Sequence, residues 1–283
     1  MDLMNVLYAV LVLSVMGCVF GLVLAIASKV FAVEVDPRVE EIAAVLPGAN
    51  CGGCGFAGCA ACAKAMAEGK APLNACAAGG AAAAEQIAKI MGATVEATER
   101  KVAFVACNGG LQANTKYDYV GVKDCVAAMK VANGPLECRF GCLGFGTCVA
   151  ACKFGALSIS PNGVAVVDEE KCTNCGACRK ACPRQIIHEK PYGADTLARC
   201  SSQEKGVVAK KECAVACIGC KLCEKTCEDG AITVVNNVAI IDYSKCTSCG
   251  KCVAKCPRKV LYSISGKVAV VDAAPKAAAA KAE

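Results

Sequence analysis

Tryptophan is absent from these 283 residues, histidine occurs once, and aromatic residues make up only 5% of the chain. Aromatic side chains carry much of the buried area of ordinary cores, so one large apolar core of usual make-up is excluded. The lone histidine, His188, leaves no partner for acid–base work, and no nucleophile–base pair is legible. Following a Cys-Pro and two isoleucines, it is expected to face solvent or pack. No P-loop pattern occurs. The one GxGxxG, Gly53 to Gly58, has no strand before it and is interrupted by cysteine, which argues against a dinucleotide site.

Cysteine is what the chain has in excess, 26 in all. Secreted disulfide scaffolds are this dense but usually short. Two stretches, CTNCGACRKACP (Cys172 to Pro183) and CTSCGKCVAKCP (Cys246 to Pro257), have three cysteines at three-residue spacing and a fourth four residues on, before proline. Three thiols within seven residues crowd a zinc site. They suit one cubane cluster, while the fourth, carried away on a short helix, reaches a neighbouring cluster. Each run therefore implies a partner run, and each has one upstream: CRFGCLGFGTCVAAC from Cys138 to Cys152, and CAVACIGCKLCEKTC from Cys213 to Cys227. The compartment implied is reducing. Formal net charge is +6, but each oxidised four-thiolate cubane adds about two negative charges, so five of them bring the holoprotein to roughly −4. A nucleic-acid partner thereby loses its main support.

From Leu3 to Ser28 no residue is charged, and this length exceeds the ~20 residues needed to span a bilayer core. A retained transmembrane anchor is expected at 1–28. A cleaved signal is disfavoured by Asp2, by the absence of Lys or Arg before the run, and by the run's length. Lys29, Arg38 and the cysteine runs all follow the span, which places the bulk on the cytoplasmic side of the cell membrane in a single-pass arrangement. Ser14, Gly17, Gly21, Ala25 and Ser28 put small residues on one helical face, suited to close packing with other membrane helices.

Beyond the anchor, Asp36-Pro37 opens a short amphipathic helix that stops at Pro47-Gly48. In the following NCGGCGFAGCAAC, Cys51, Cys54 and Cys59 form a metal set with Cys76, and Cys62, one helical turn after Cys59, reads as a packed thiol. Helix is expected over Ala81 to Met91 and strand over Lys101 to Ala106. Strand–turn–strand units are expected at Ala156 to Asp168, Ala231 to Asp242 and Val260 to Asp272. The expected fold class is α+β, with one N-terminal transmembrane helix, a small helical iron–sulfur domain at 36–92 and a connecting segment at 93–134. Two tandem two-cluster ferredoxin modules follow at 135–190 and 213–271, joined by a linker at 191–212 and ending in a disordered tail at 272–283.

The two upstream runs superpose without a gap: Cys138, Cys142, Cys148 and Cys152 match Cys213, Cys217, Cys223 and Cys227. The second copy adds Cys220 where the first has Phe145. Cys217, Cys220 and Cys223 are thus completed by Cys256, and Cys246, Cys249 and Cys252 by Cys227. Likewise Cys172, Cys175 and Cys178 take Cys152. Cys182, Cys142 and Cys148 lack one ligand, for which Cys138 is the nearest candidate, Cys213 then being its unused counterpart. Alternatively, both early cysteines share a structural role, with Cys107, Cys125 or Cys200, and the Phe145 copy holds a three-iron or three-thiolate cluster.

An uncharged N-terminal helix, then NCGGCG..GC with a distant fourth cysteine, then ferredoxin runs, resembles the B subunits of Rnf electron-transport complexes over nearly the whole chain. Two modules resemble the longer, clostridial type. The Cys51 spacing also resembles a domain of corrinoid iron–sulfur proteins, which lack the anchor. The Rnf resemblance implies an electron-transfer subunit of an ion-translocating ferredoxin:NAD+ oxidoreductase, with about five [4Fe-4S] clusters. Its partners would be reduced ferredoxin and the other subunits, which would bear the flavin and NAD sites. Two departures from the ferredoxin pattern stand out: Lys153 and Glu228 replace the proline after the upstream runs, and Phe145 replaces a cysteine. The alternatives are a polyferredoxin subunit of a membrane hydrogenase or dehydrogenase, and a redox sensor, which would need one labile cluster and an output domain. Cations crowd the runs: Lys171, Arg179, Lys180 and Arg184; Lys210, Lys211, Lys221 and Lys225; Lys251, Lys255, Arg258 and Lys259. They are expected to steer an acidic ferredoxin.

Overall fold

The computed structural model describes residues 3–30, 36–95 and 99–265. The apolar N-terminal run forms α1 (Leu3–Val30). Its stretch Val10–Lys29 has mean hydropathy 2.8 and packs against nothing among the described residues. Ser14 and Ser28 donate to the carbonyls of Val10 and Ala25 at 2.8 and 2.9 Å, so the hydroxyls are satisfied within the helix. Above Gly17 and Gly21 the surface is open. Among the described residues this is the one helix long and apolar enough to cross a membrane.

A small helical unit follows, made of α2 (Pro37–Val45), α3 (Cys59–Ala67) and α4 (Gly80–Met91). Asp36 caps α2 by accepting from the Arg38 amide, with Pro37 in the first turn where a missing N–H costs nothing. Gly92, at φ 64°, ends α4 in the left-handed region. Ile42, Leu46, Cys62, Met66 and Ile87 form its core.

The remainder is built twice. The first repeat runs through β1 (Lys101–Val105), α5 (Cys125–Lys130), α6 (Thr147–Ala150), β2 (Leu157–Ile159), β3 (Ala165–Val167), α7 (Ala177–Ala181) and β4 (Ile187–Pro191). The second has β5 (Thr196–Ala198), α8 (Gly206–Glu212), α9 (Leu222–Thr226), β6 (Ile232–Val235), β7 (Val238–Ile241), α10 (Lys251–Lys255) and β8 (Leu261–Ser263). Between the two cysteine runs of each repeat lies an antiparallel hairpin, β2 with β3 and β6 with β7. The second turns through Asn236 and Asn237, both at positive φ (48° and 65°), as a tight two-residue hairpin turn requires.

A second pairing in each repeat was not legible from the hydrophobic pattern. β1 lies antiparallel to β4, with Val105 opposite Ile187, and β5 lies antiparallel to β8, with Ala198 opposite Leu261. The stretch 191–212, expected to be a linker, thus supplies a strand and α8. The hairpin expected over Val260 to Asp272 is replaced, as far as it is described, by pairing of Leu261–Ser263 with β5. Its far side, like the tail, lies outside the described residues. Val102, Val164 and Ile186 are buried in the first repeat, Ile232, Val260 and Leu261 in the second, and cysteines line both cores. The first also buries Lys190 completely, ion-paired to Glu169 at 3.0 Å.

The helical unit docks on the first repeat. Lys153 donates to the carbonyls of Ala49 and Asn50 (2.9 and 3.0 Å), and a methyl group at Gly53 would collide with the Cys175 carbonyl. The repeats meet through the Asn114 amide, which donates to the Glu212 carbonyl, and through the Ser201 hydroxyl on the Ala106 carbonyl, both at 2.8 Å.

Candidate metal centres

Each ferredoxin-type loop turns through a left-handed residue just after its second cysteine position. These are Gly176 and Gly250 (φ 77° and 73°), Lys221 (φ 58°) and, after Phe145, Gly146 (φ 79°). The turn starts a short helix carrying the third cysteine inward, with the fourth just beyond its end. Gly146 shows that the Phe145 loop keeps the backbone of a cluster loop while lacking one thiol.

Thiols gather around cavities of similar size. Cys51, Cys54, Cys59 and Cys76 line one of about 380 Å³. Cys152, Cys172, Cys175 and Cys178 line one of about 300 Å³. Cys217, Cys220, Cys223 and Cys256 line one of about 360 Å³. Cys227, Cys246 and Cys249 are electrostatic neighbours of Cys252, whose thiol is pushed up to about 11 chiefly by burial. Cys62, 1% exposed, belongs to the helical core and also lines the Cys51 cavity beside Cys54, and burial pushes it up to about 12. His188 is exposed, its ring 5.9 Å from that of Phe104, and lines none of these cavities.

For the set with a missing member the geometry offers a different fourth thiol. Cys142, Cys148 and Cys182 share a cavity of about 380 Å³ with Cys125, and Cys138 does not line it. Asp124 caps α5, accepting from the Ala127 amide at 2.8 Å, and takes the Thr147 hydroxyl at 2.7 Å. Thr147 in turn accepts the Cys125 amide at 2.7 Å. This clip holds Cys125 over the loop that carries Cys148. Phe145 turns outward onto Tyr119, ring centroids 5.3 Å apart. Cys125 was missed because it lies outside every spacing rule. The available signals were an unassigned cysteine behind a capping aspartate and an intact glycine after Phe145.

Cys138 lies elsewhere, in a cavity of about 360 Å³ lined also by Cys107, Cys200 and Cys213.

Burial pushes the Cys142 thiol up to about 11 and Cys148 to about 12. Such thiols hold their protons at neutral pH until a metal displaces them. Among the described residues no three donors close on a single ion, whereas a cubane takes each thiolate on a separate iron. Backbone amides already point at sulfur: Ala156, Ala231 and Val260 donate to Cys152, Cys227 and Cys256 at 3.3–3.4 Å, four residues back in each case. Buried Thr173 Oγ1 and Arg184 Nε have no partner, and each residue lines one of the cavities. Donors of this kind suit the sulfides of an iron–sulfur cluster. The donor sets fit such clusters.

Residues 46–78 match a family model for an Fe–S cluster, residues 165–188 a 4Fe-4S binding domain, and residues 216–261 a 4Fe-4S dicluster domain. Over 254 residues the chain is 47% identical to the B subunit of an ion-translocating oxidoreductase complex of Methanosarcina acetivorans, covering 89% of this chain and 96% of that one. Over 264 residues it is 47% identical to the B subunit of a Na+-translocating ferredoxin:NAD+ oxidoreductase complex of Acetobacterium woodii, covering 93% and 78%. A proton-translocating counterpart from Clostridium ljungdahlii is 43% identical, with coverage of 92% and 93%.

Proposed function

The chain belongs to the family of B subunits of ion-translocating oxidoreductase complexes, the Rnf type, and we propose that it carries electrons from reduced ferredoxin through a row of clusters toward the membrane subunits. It is an iron–sulfur electron-transfer subunit of a ferredoxin:NAD+ oxidoreductase complex, and the other subunits are its partners. Reduced ferredoxin as donor, the single membrane pass and the cytoplasmic placement are parts of the proposal.

Five ligand sets belong to this proposal, four grouped by the cavities and the last by the neighbours of Cys252: Cys51, Cys54, Cys59 and Cys76; Cys125, Cys142, Cys148 and Cys182; Cys152, Cys172, Cys175 and Cys178; Cys217, Cys220, Cys223 and Cys256; Cys227, Cys246, Cys249 and Cys252. [4Fe-4S] clusters supply one-electron storage and transfer when bound. The protein's part is to hold thiolates, aim amides at sulfur and exclude water. On this reading the modules span 135–190 and 213–271, and a strand from the segment before each pairs with it.

The observation that carries this reading is contiguity. Cys175 also lines the Cys51 cavity, so the first module's loop abuts the helical unit. That unit starts at Asp36, six residues beyond the end of α1. On this reading the Cys51 set would be the exit, close in sequence to the proposed anchor. The basic surface supports ferredoxin as donor. Many of the cations are engaged: Arg179 with Glu189, Lys251 with Glu228, and Arg258 on the Cys213 and Ala216 carbonyls. Lys210, Lys211, Lys221, Lys225 and Lys255 are exposed and without ion pairs among the described residues, and all lie in the second repeat.

The test is anaerobic reduction of the full chain by reduced ferredoxin, followed by loss of cluster absorbance. Bleaching at a rate that falls as salt rises supports the proposal; absence of electron uptake defeats it. Deleting residues 1–28 is expected to leave a soluble, brown protein, and either a mature N-terminus after Ala27 or membrane retention of the truncated chain would refute the anchor.

A further inference from the structure

Twenty of the 26 cysteines are used in the five sets above. Of the other six, Cys18 lies in α1 and Cys62 in the helical core. The remaining four, Cys107, Cys138, Cys200 and Cys213, all line one cavity, in the same size range as the cluster cavities. Their placement repeats with the chain. Cys107 stands two residues after β1 and Cys200 two residues after β5. Cys107 Sγ accepts the amides of Gly109 (3.4 Å) and Cys142 (3.3 Å); Cys200 Sγ accepts those of Ser202 (3.5 Å) and Cys217 (3.3 Å). Cys138 and Cys213 are the matched first cysteines of the two upstream runs. Each repeat thus contributes one equivalent pair to a site between them. The sulfurs of Cys107 and Cys213, from different repeats, lie 3.6 and 3.4 Å from the point where a methyl on Gly109 would sit.

A second observation points to an occupant. Ser202 lines the cavity, is 1% exposed, and its hydroxyl has no partner. A buried, unsatisfied hydroxyl is costly, and a sulfide is an acceptor it could use.

We propose that Cys107, Cys138, Cys200 and Cys213 bind a further [4Fe-4S] cluster, shared by the two repeats, with Ser202 donating a hydrogen bond to it. The proposal rests on the reading of the chain as a cluster protein. It also supplies what the five sets lack, a stepping stone between modules: Cys107 accepts the amide of Cys142, a ligand on one side, and Cys200 that of Cys217, a ligand on the other. An electron in transit would leave the neighbouring cluster, oxidising it, and reduce this one before moving to the next. No bond or proton changes hands. The row then runs from the Cys246 set through the Cys217, bridging, Cys142 and Cys172 sets to the Cys51 set.

Iron and acid-labile sulfide in the anaerobically reconstituted full chain provide the test. About 24 irons are expected with six cubanes, and about 20 with five. Changing Cys107, Cys138, Cys200 or Cys213 singly to serine should lower the count by about four each, and the double change Cys138→Ser with Cys213→Ser by no more than either alone. Unchanged iron in the single variants of a 20-iron protein would overturn the bridge and leave the five sets standing, whereas a wild-type chain that takes up almost no iron would defeat the underlying reading. A Cys107–Cys213 disulfide found in the native protein would also overturn it. Should the cysteine variants fail to fold, Ser202→Ala decides: iron content is expected to hold while one redox transition moves to lower potential and the others stay. No moving transition would count against the proposal.

Discussion

The two repeats solve one problem with different chemistry. In the second, all three loop thiols of the Cys217 set come from one run; in the first, Phe145 stands where Cys220 would be, and Cys125 arrives from a separate capped helix. The surroundings differ as well. The first repeat is covered by the helical unit on its Cys172 loop and by α5 on its Cys142 loop, while the second leaves Cys220 and Cys249 exposed amid unpaired lysines. On the proposed ligand sets, a thiol brought from outside the loop would close the first repeat into the interior of the row. The open loop of the second would be the one offered to the proposed soluble donor.

The largest expected effect comes from swapping the two solutions. Cys125→Ser should lower iron by about four per chain, as Cys220→Ser should in the other repeat. Adding Phe145→Cys to Cys125→Ser should restore the iron, because Gly146 already holds the loop in cluster geometry. Iron that is unaffected by Cys125→Ser would erase the distinction between the repeats.

Next is the ion pair found only in the first repeat. Lys190 is fully buried against Glu169, and the residue at the same distance from the last cysteine of the run in the second repeat is Ile264. Lys190→Ala should leave Glu169 unpaired and destabilise the fold by about 3–5 kcal/mol. Lys190→Met with Glu169→Gln should recover much of that. Thermal loss of cluster absorbance checks the order, because unfolding of a cluster protein is better followed as a rate.

A smaller effect is expected from charge. Reversing Lys221, Lys225 and Lys255 to glutamate should slow reduction by ferredoxin roughly tenfold at low salt and much less at moderate salt. Reversal of the engaged cations of the first repeat, Lys171 and Lys180, should do less. The smallest change is Lys221→Gly. Lys221 occupies a left-handed position that is glycine in the loops after Cys175 and Cys249, so glycine should stabilise by about 1 kcal/mol or less. The same melting measurement reads it.

Much of this was legible in the residues. The cysteine spacing encodes loops whose local geometry leaves little choice, so the ferredoxin-type runs and the Cys51 set could be grouped before any fold was known. Asn236-Asn237 and Pro161-Asn162-Gly163 likewise fix their hairpins through local turn chemistry. The missed features depend on contacts distant in sequence. β1 and β5 are too short to announce partners some eighty and sixty residues away, and Cys125 and Cys107 are isolated cysteines whose meaning comes from what folds over them. Proximity in sequence was the only guide for Cys138, which lines a different cavity from Cys142 and Cys148. The repeat logic that paired it with Cys213 was sound, but the pair faces the join between the repeats.

The central claim, that electrons enter at the open second repeat and pass through the closed first one, is tested most directly by rapid mixing of the full chain with excess reduced ferredoxin, comparing Cys220→Ser with Cys125→Ser. Cys220→Ser is expected to slow the first phase of bleaching, whereas Cys125→Ser should leave that phase intact and slow or truncate the later ones. A first phase lost in Cys125→Ser and untouched in Cys220→Ser would contradict it.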